Sequence, residues 1–161
     1  MQRAKREDRE AARCTTPGCT HQGLIDTASK GGAGIKGTVE IYGEYQTGLK
    51  DLDGFSHIYL IYYFHRSQGF NLSVVPFMDK QPRGLFATRA PKRPNPIGLS
   101  VVKLLGIEEN FISIECVDLL EGTPVLDIKP YVLEFDRREK VRVGWLETVG
   151  NQSAVSDDRF R

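Results

Sequence analysis

The segment Phe55–His65, FSHIYLIYYFH, constrains the fold more than any other. It is aromatic, β-branched and apolar at odd and even positions alike, the pattern of a central strand covered on both faces. No long helical pattern stands on either side of it. Thr38–Tyr42 is a short β-branched run, and Gly48–Gly54 (GLKDLDG) makes a turn or one helical turn before Phe55. After a polar break at Arg66–Asn71, LSVVPFM, GLFATR and LSVVKLLGI read as further extended segments. Phe111–Val117 alternates, with Ile112, Ile114 and Cys116 on one face and a turn at Glu108–Asn110 before it. Val125–Val132 is a last extended segment, moved towards a sheet edge by Pro130. Short strands at this spacing, with no long helices between them, imply a mainly β chain folded as a compact barrel or sandwich.

The chain has 161 residues, enough for one domain with a proper core. Residues 2–13 have helix-forming composition without an apolar face, and residues 14–34 read as irregular. Ordered structure is expected from Ile35. The tail from Arg137 is ambiguous: Val141, Trp145 and Val149 share a helical face, yet VRVGW could be a strand. The expected division is therefore an atypical N-terminal segment (1–34), a β domain (35–136) and a C-terminal extension (137–161). Gly32, Gly34 and Gly37 spell the dinucleotide fingerprint G-x-G-x-x-G. That motif binds pyrophosphate only between a strand and a helix N-terminus, and here a strand-like run follows it, so a Rossmann reading is rejected. Cys14, Cys19 and His21 lack a second ligand pair, so no metal site is expected. Cys116 is expected to be a small buried hydrophobe. No apolar run approaches the roughly 20 residues that span a bilayer, and the N-terminus is charged, so a cytoplasmic protein with no membrane contact is expected.

The formal net charge of +1 exerts no global pull on a polyanion. The local picture differs. Lys80, Arg83, Arg89, Lys92, Arg93 and Lys103 occur in a stretch with no acid from Lys80 to Ile107. Within it, Pro91, Pro94 and Pro96 fix φ and push Ala90, Arg93 and Asn95 towards extended conformations. Such a loop is stiff and cationic, and an ordered loop loses less entropy when an anion arrives. Other polar residues stand where core formation does not explain them. His65 closes the apolar strand, and Asp118 follows Val117 at a strand end. Each has a plain alternative, as a core-edge histidine and as a loop cap. Asp127, Lys129 and Tyr131 share one face of an extended segment, where a surface ion pair is an equal alternative to chemistry. No Gly-x-Ser-x-Gly, Walker, His-Glu-x-x-His or paired-cysteine motif occurs, which removes support from hydrolase, NTPase and metalloenzyme classes.

The string FATRAPKRPNPIGLSVVKL, with GFSHIYLIYYFH upstream and VDLLEGTPVLDIKPY downstream, resembles the TsaA-like family over roughly residues 37–135. The resemblance implies a single compact β-barrel, non-Rossmann methyltransferase that uses S-adenosyl-L-methionine, typically as a homodimer. The best understood members methylate N6 of threonylcarbamoyladenosine next to the anticodon in tRNA. By resemblance, cofactor contacts fall on His65, Arg66, Arg89, the backbone around Leu99, and Glu115, Cys116, Val117 and Asp118. Glu121 stands where the family's turn has Asp. The family's Gly-x-Ile strand, Ser-Pro turn and Pro-Arg-Gln-like contact have no recognisable counterpart in residues 1–34. A guanidinium can pair the cofactor carboxylate bidentately, which suits Arg89 or Arg66. The acceptor nitrogen must lose a proton, and Asp118, His65 or a Lys129–Tyr131 pair could take it. Arg83, Lys92 and Arg93 are the expected RNA phosphate contacts, with Tyr42, Tyr45 and Tyr131 as candidate stacking partners. A methyltransferase acting on a small molecule, and a non-catalytic protein that binds cofactor or RNA, are the competing readings.

Overall fold

The computed structural model describes residues 34–149 and, for the backbone alone, Ala12–Thr15. The strands are β1 (Ala12–Thr15), β2 (Lys36–Ile41), β3 (His57–Tyr63), β4 (Ser73–Val74), β5 (Arg83–Gly84), β6 (Ile97–Glu108), β7 (Phe111–Glu115) and β8 (Thr123–Pro130). Among the described residues helical structure is confined to short turns, the longest being the 3-10 segment Gly43–Leu49 between β2 and β3. The principal sheet is antiparallel throughout, in the order β1-β2-β7-β6-β3-β8. Its first strand, β1, also pairs with β8, so the pairings return on themselves. β4 and β5 form a separate two-stranded ribbon.

Alternation writes the core. Val39 and Ile41 of β2, Ile58, Leu60 and Tyr62 of β3, Val102 and Leu104 of β6, Ile112 and Ile114 of β7 and Val125 of β8 turn to one side and are buried together. Each such side chain contributes about 1.5–3 kcal/mol when fully removed from water. In β6 the register slips between Leu104 and Gly106, and the extra residue allows both Leu104 and Ile107 to reach the core.

Several expectations are corrected. β3 is flanked by strands on both edges, yet only one of its faces is buried; His57, Tyr59, Ile61 and Tyr63 are half-exposed. A sheet that curls around a single core has one filled side, so the second apolar face of β3 has another cause. Cys116 is exposed rather than buried. β7 stops at Glu115, and Cys116 takes a left-handed φ of 70° that reverses the alternation and delivers Val117 to the core. β8 is not an edge strand, since it pairs with both β3 and β1. Among the described residues β1 pairs only with Thr123–Val125, and Pro130, at the other end of β8, has β3 alone beside it. Of LSVVPFM and GLFATR only Ser73–Val74 and Arg83–Gly84 are strand, and Leu85–Ala87 is a 3-10 turn. Ala12–Thr15 is strand where a solvated helix and irregular chain were expected. The rest of 1–33, including the proposed helix and Cys19 and His21, lies outside the described residues, as does 150–161. The tail is irregular to Gly144 and then makes one helical turn, Leu146–Val149. The strand β2 follows Gly34, so the glycine motif does not open a helix. Among the described residues no helix is long and apolar enough to cross a membrane, and no group of three potential metal ligands occurs.

Candidate functional site

β7 pairs with β6 only as far as Glu115 opposite Lys103, whereas β3 pairs with β6 from Lys103 back to Ile97. Among the described residues, β6 from Ile97 to Val102 therefore has a strand on one side only. Beyond the end of β7, the Cys116 and Val117 N–H groups donate to Ile35 O at 3.0 and 3.3 Å. On the inner face of the same stretch Gly98 lies opposite Tyr62, and the Tyr62 ring occupies the space a β-carbon at Gly98 would need. The ring packs edge-on against Phe64, with centroids 5.3 Å apart. Its hydroxyl is hydrogen-bonded to Ser100 Oγ at 3.1 Å. Burial raises the Tyr62 phenol above its ordinary range; the Ser100 hydrogen bond and the Arg89 charge oppose the rise, and Asp118 adds to it. The phenol thus feels both the Arg89 cation and the Asp118 carboxylate, residues 29 positions apart in the chain.

The other components arrive from the end of β3. Phe64 N–H donates to Pro96 O at 2.8 Å, tying the chain before His65 to the proline turn. His65 is half-buried and Arg66 exposed. Next to them is Ser67, whose Oγ is buried without a hydrogen-bond partner among the described residues. A buried hydroxyl left unpaired is costly, and such an atom is satisfied when a polar ligand group reaches it.

The cationic loop is held by its own side chains. Arg93 Nη1 donates to Thr88 O at 2.9 Å and to Leu85 O and Ala90 O at 3.4 Å. Thr88 Oγ1 donates to Leu85 O at 2.8 Å. From the tail, Trp145 Nε1 donates to Ala87 O at 2.8 Å. Arg83 lies 5.4 Å from the Trp145 ring centroid and pairs with Asp79 at 2.7 Å. Burial would raise the Asp79 carboxyl, but Arg83 and the amides of Gln81 and Lys80 outweigh it and hold the carboxyl below its ordinary value. Arg83 and Arg93, expected at phosphates, thus also serve the loop itself, while Arg89 and Lys92 are exposed.

The sequence-derived residues fall into two groups. Arg89 and Asp118 both act on the Tyr62 phenol, Leu99 is paired with Ile61 next to it, and His65 and Arg66 follow Tyr63 beyond the end of β3. Val117 is a core residue, and Glu115 is paired with Lys103 at 3.4 Å. Lys129 and Tyr131 lie at the opposite end of β3: Lys129 is level with Tyr59, and Tyr131 N–H donates to His57 O. Four residue steps along β3 separate Tyr59 from Tyr63, roughly 13 Å. Lys129 makes a surface ion pair with Asp127 at 2.8 Å, one of the two alternatives the sequence left open, and Tyr131 packs on His57 and Tyr59. Of the candidate stacking tyrosines, Tyr45 is exposed and Tyr42 half-buried. Sequence reasoning passed over Tyr62, Ser67 and Ser100. Tyr62 is indistinguishable from its aromatic neighbours until its strand partner is known to be a glycine.

Residues 20–137 match the tRNA-methyltransferase O N-terminal domain family. A "probable S-adenosyl-L-methionine-binding protein" of Pyrococcus abyssi is 59% identical over 128 residues, covering 78% of this chain and 70% of that protein. The tRNA (adenine(37)-N6)-methyltransferase of Mus musculus is 36% identical over 106 residues, covering 64% of this chain and 25% of that one. The crystal structure of TrmO from Pseudomonas aeruginosa superposes with a TM-score of 0.70 at 32% identity. It covers 90% of this chain, which in turn spans 63% of that chain's length. The fold, the order of the motifs and these similarities agree: the chain belongs to the tRNA-methyltransferase O N-terminal domain family.

Proposed function

We propose that this protein is an S-adenosyl-L-methionine-dependent tRNA methyltransferase, acting at N6 of the adenosine next to the anticodon and, more narrowly, of threonylcarbamoyladenosine. The observation that carries the reading is that Arg89 and Asp118, from separate parts of the chain, both act on the Tyr62 phenol, which is hydrogen-bonded to Ser100 and stands three residues before His65. The donor set suits the cofactor. Arg89 or Arg66 offers a bidentate partner for its carboxylate, the open edge of β6 near Leu99 offers backbone groups to an adenine edge, and Ser67 Oγ offers an unpaired polar atom. S-adenosyl-L-methionine supplies an activated methyl group. The protein's own part is chiefly to position the acceptor in line with that group, which is worth several kcal/mol of barrier. Asp118 and His65 are the acceptors we assign to the departing proton, since they share an end of the sheet with Arg89. Lys92 and the acid-free loop around it are assigned to RNA phosphates.

The apolar row that β6 turns outward, Ile97, Leu99, Val101 and Leu105, beside half-exposed Ile61 and Tyr63, supports a homodimer. The pairing of β1 with both β2 and β8 supports a barrel, and the tRNA substrate supports a place in the cytoplasm.

Purified protein is incubated with bulk tRNA and methyl-labelled S-adenosyl-L-methionine. Label is expected in the RNA, at N6 of adenosine after digestion. Label confined to small molecules would favour the small-molecule reading, and absence of cofactor affinity a non-catalytic one. In the same assay Arg89→Ala is expected to weaken cofactor binding by roughly 1.5–3 kcal/mol, about ten- to a hundredfold in Kd, with tRNA affinity changed less. An unchanged calorimetric affinity removes Arg89 from the cofactor.

A further inference from the structure

Phe86 stands out of the Leu85–Ala87 turn with 75% of its surface exposed. An aromatic ring on a loose loop would fold back onto apolar surface, because exposing it is unfavourable. This turn gives it no such freedom. The carbonyls on both sides of Phe86, at Leu85 and Ala87, accept hydrogen bonds from Thr88, Arg93 and Trp145, as described above. The next carbonyls, Thr88 and Ala90, are taken by Arg93. The Arg93 guanidinium lies 5.7 Å from the centroid of the Phe86 ring. A cation at the ring, a rigid mount and a stretch of chain without acids occur together. Exposed Lys92 is on the same loop. An apolar partner would gain nothing from the charges, whereas a polyanion with planar bases uses all of these features.

We propose that Phe86 is a stacking platform for an unpaired nucleobase of the RNA substrate, with Lys92 beside it at the backbone phosphate. The ring is held in its binding position before RNA arrives, so little ordering entropy is lost on stacking. This rests on the tRNA reading above and adds to it a residue that grips the RNA through a base face rather than through charge. Tyr45, also exposed, lacks such a mount; its hydroxyl is engaged with Glu44, and that hydrogen bond first, then the Glu44 charge, raises its pKa. A neighbouring carboxylate is a poor companion for phosphate.

The test uses the full chain with two probes, bulk tRNA and a single-stranded oligoadenylate, titrated by fluorescence anisotropy at several salt concentrations. Phe86→Ala is expected to bind both about tenfold more weakly, with the slope of log affinity against log salt unchanged, because no phosphate contact is lost. Phe86→Leu keeps the bulk without the π-face and is expected to be as weak, while Phe86→Trp restores binding. Thermal midpoints equal to wild type show that the fold is intact. Wild-type affinity in both Phe86→Ala and Phe86→Leu overturns the platform. So does a shift of Phe86→Ala to a smaller species in sedimentation with RNA affinity retained, which assigns the ring to a second copy of the chain. If the wild-type protein binds S-adenosylhomocysteine but neither RNA, the tRNA reading fails first and the platform with it.

Discussion

Gly98 has no side chain because Tyr62 fills its place. The two residues are direct partners across β3 and β6, and a β-carbon at 98 would run into the phenol ring. That ring cannot swing clear, since it is buried, packed on Phe64 and hydrogen-bonded to Ser100. Gly98→Ala is therefore expected to destabilise the protein by about 1–3 kcal/mol in chemical denaturation. Tyr62→Leu, costly by itself for the cavity it opens, is expected to cost less in the Gly98→Ala background, a coupling that a double-mutant cycle measures. Strict additivity would mean the ring moves freely. The residue type was visible in PNPIG; its reason was not, because the reason is a side chain 36 positions away.

At the scale of the element, the loop from Arg83 to Pro96 divides its cations between two tasks. Arg93 spends Nη1 on three carbonyls, whereas Lys92 is exposed. Lys92→Ala is expected to leave the thermal midpoint unchanged and to reduce the salt slope of tRNA binding by about one. Arg93→Ala is expected to lower the midpoint by several degrees, through the carbonyls it leaves unpaired, with a smaller change in slope. Equal effects on both measurements for the two variants would erase the division. Stiffness and charge were legible in the prolines and the missing acids. The contacts of Arg83 and Arg93 were not, since charge in a sequence carries no sign of whether it faces solvent or a backbone carbonyl.

For the whole molecule, the unexplained feature is an apolar outer face. The alternation of β6 buries Val102 and Leu104, yet of the outward set only Lys103 is charged, and Ile97, Leu99, Val101 and Leu105 are apolar too. A strand with water on one face ordinarily carries polar residues there. The dimer proposed above would cover this row, and the same cover would account for both apolar parities of β3. Val101→Glu is expected to convert a sedimenting dimer into a monomer with little change in the thermal midpoint. A wild-type protein already monomeric at micromolar concentration would leave the row to another partner.

The strands β2, β3, β6, β7 and β8 could be read from the sequence because alternation and β-branching are properties of neighbours in the chain. So could the cationic loop, whose prolines and missing acids are local, and the Glu108–Asn110 turn. Only the tertiary structure decided which cations spend themselves on carbonyls, that Cys116 turns outward through a left-handed residue, and that β6 from Ile97 to Val102 has one strand neighbour among the described residues. It also decided that Arg89 and Asp118 share the Tyr62 phenol while Lys129, level with Tyr59, and Tyr131, bonded to His57, sit roughly 10 and 17 Å along the strand. Each of these depends on register, on which residue of one strand stands opposite which residue of another. Register is set by packing across the whole sheet, and no short stretch of chain contains it.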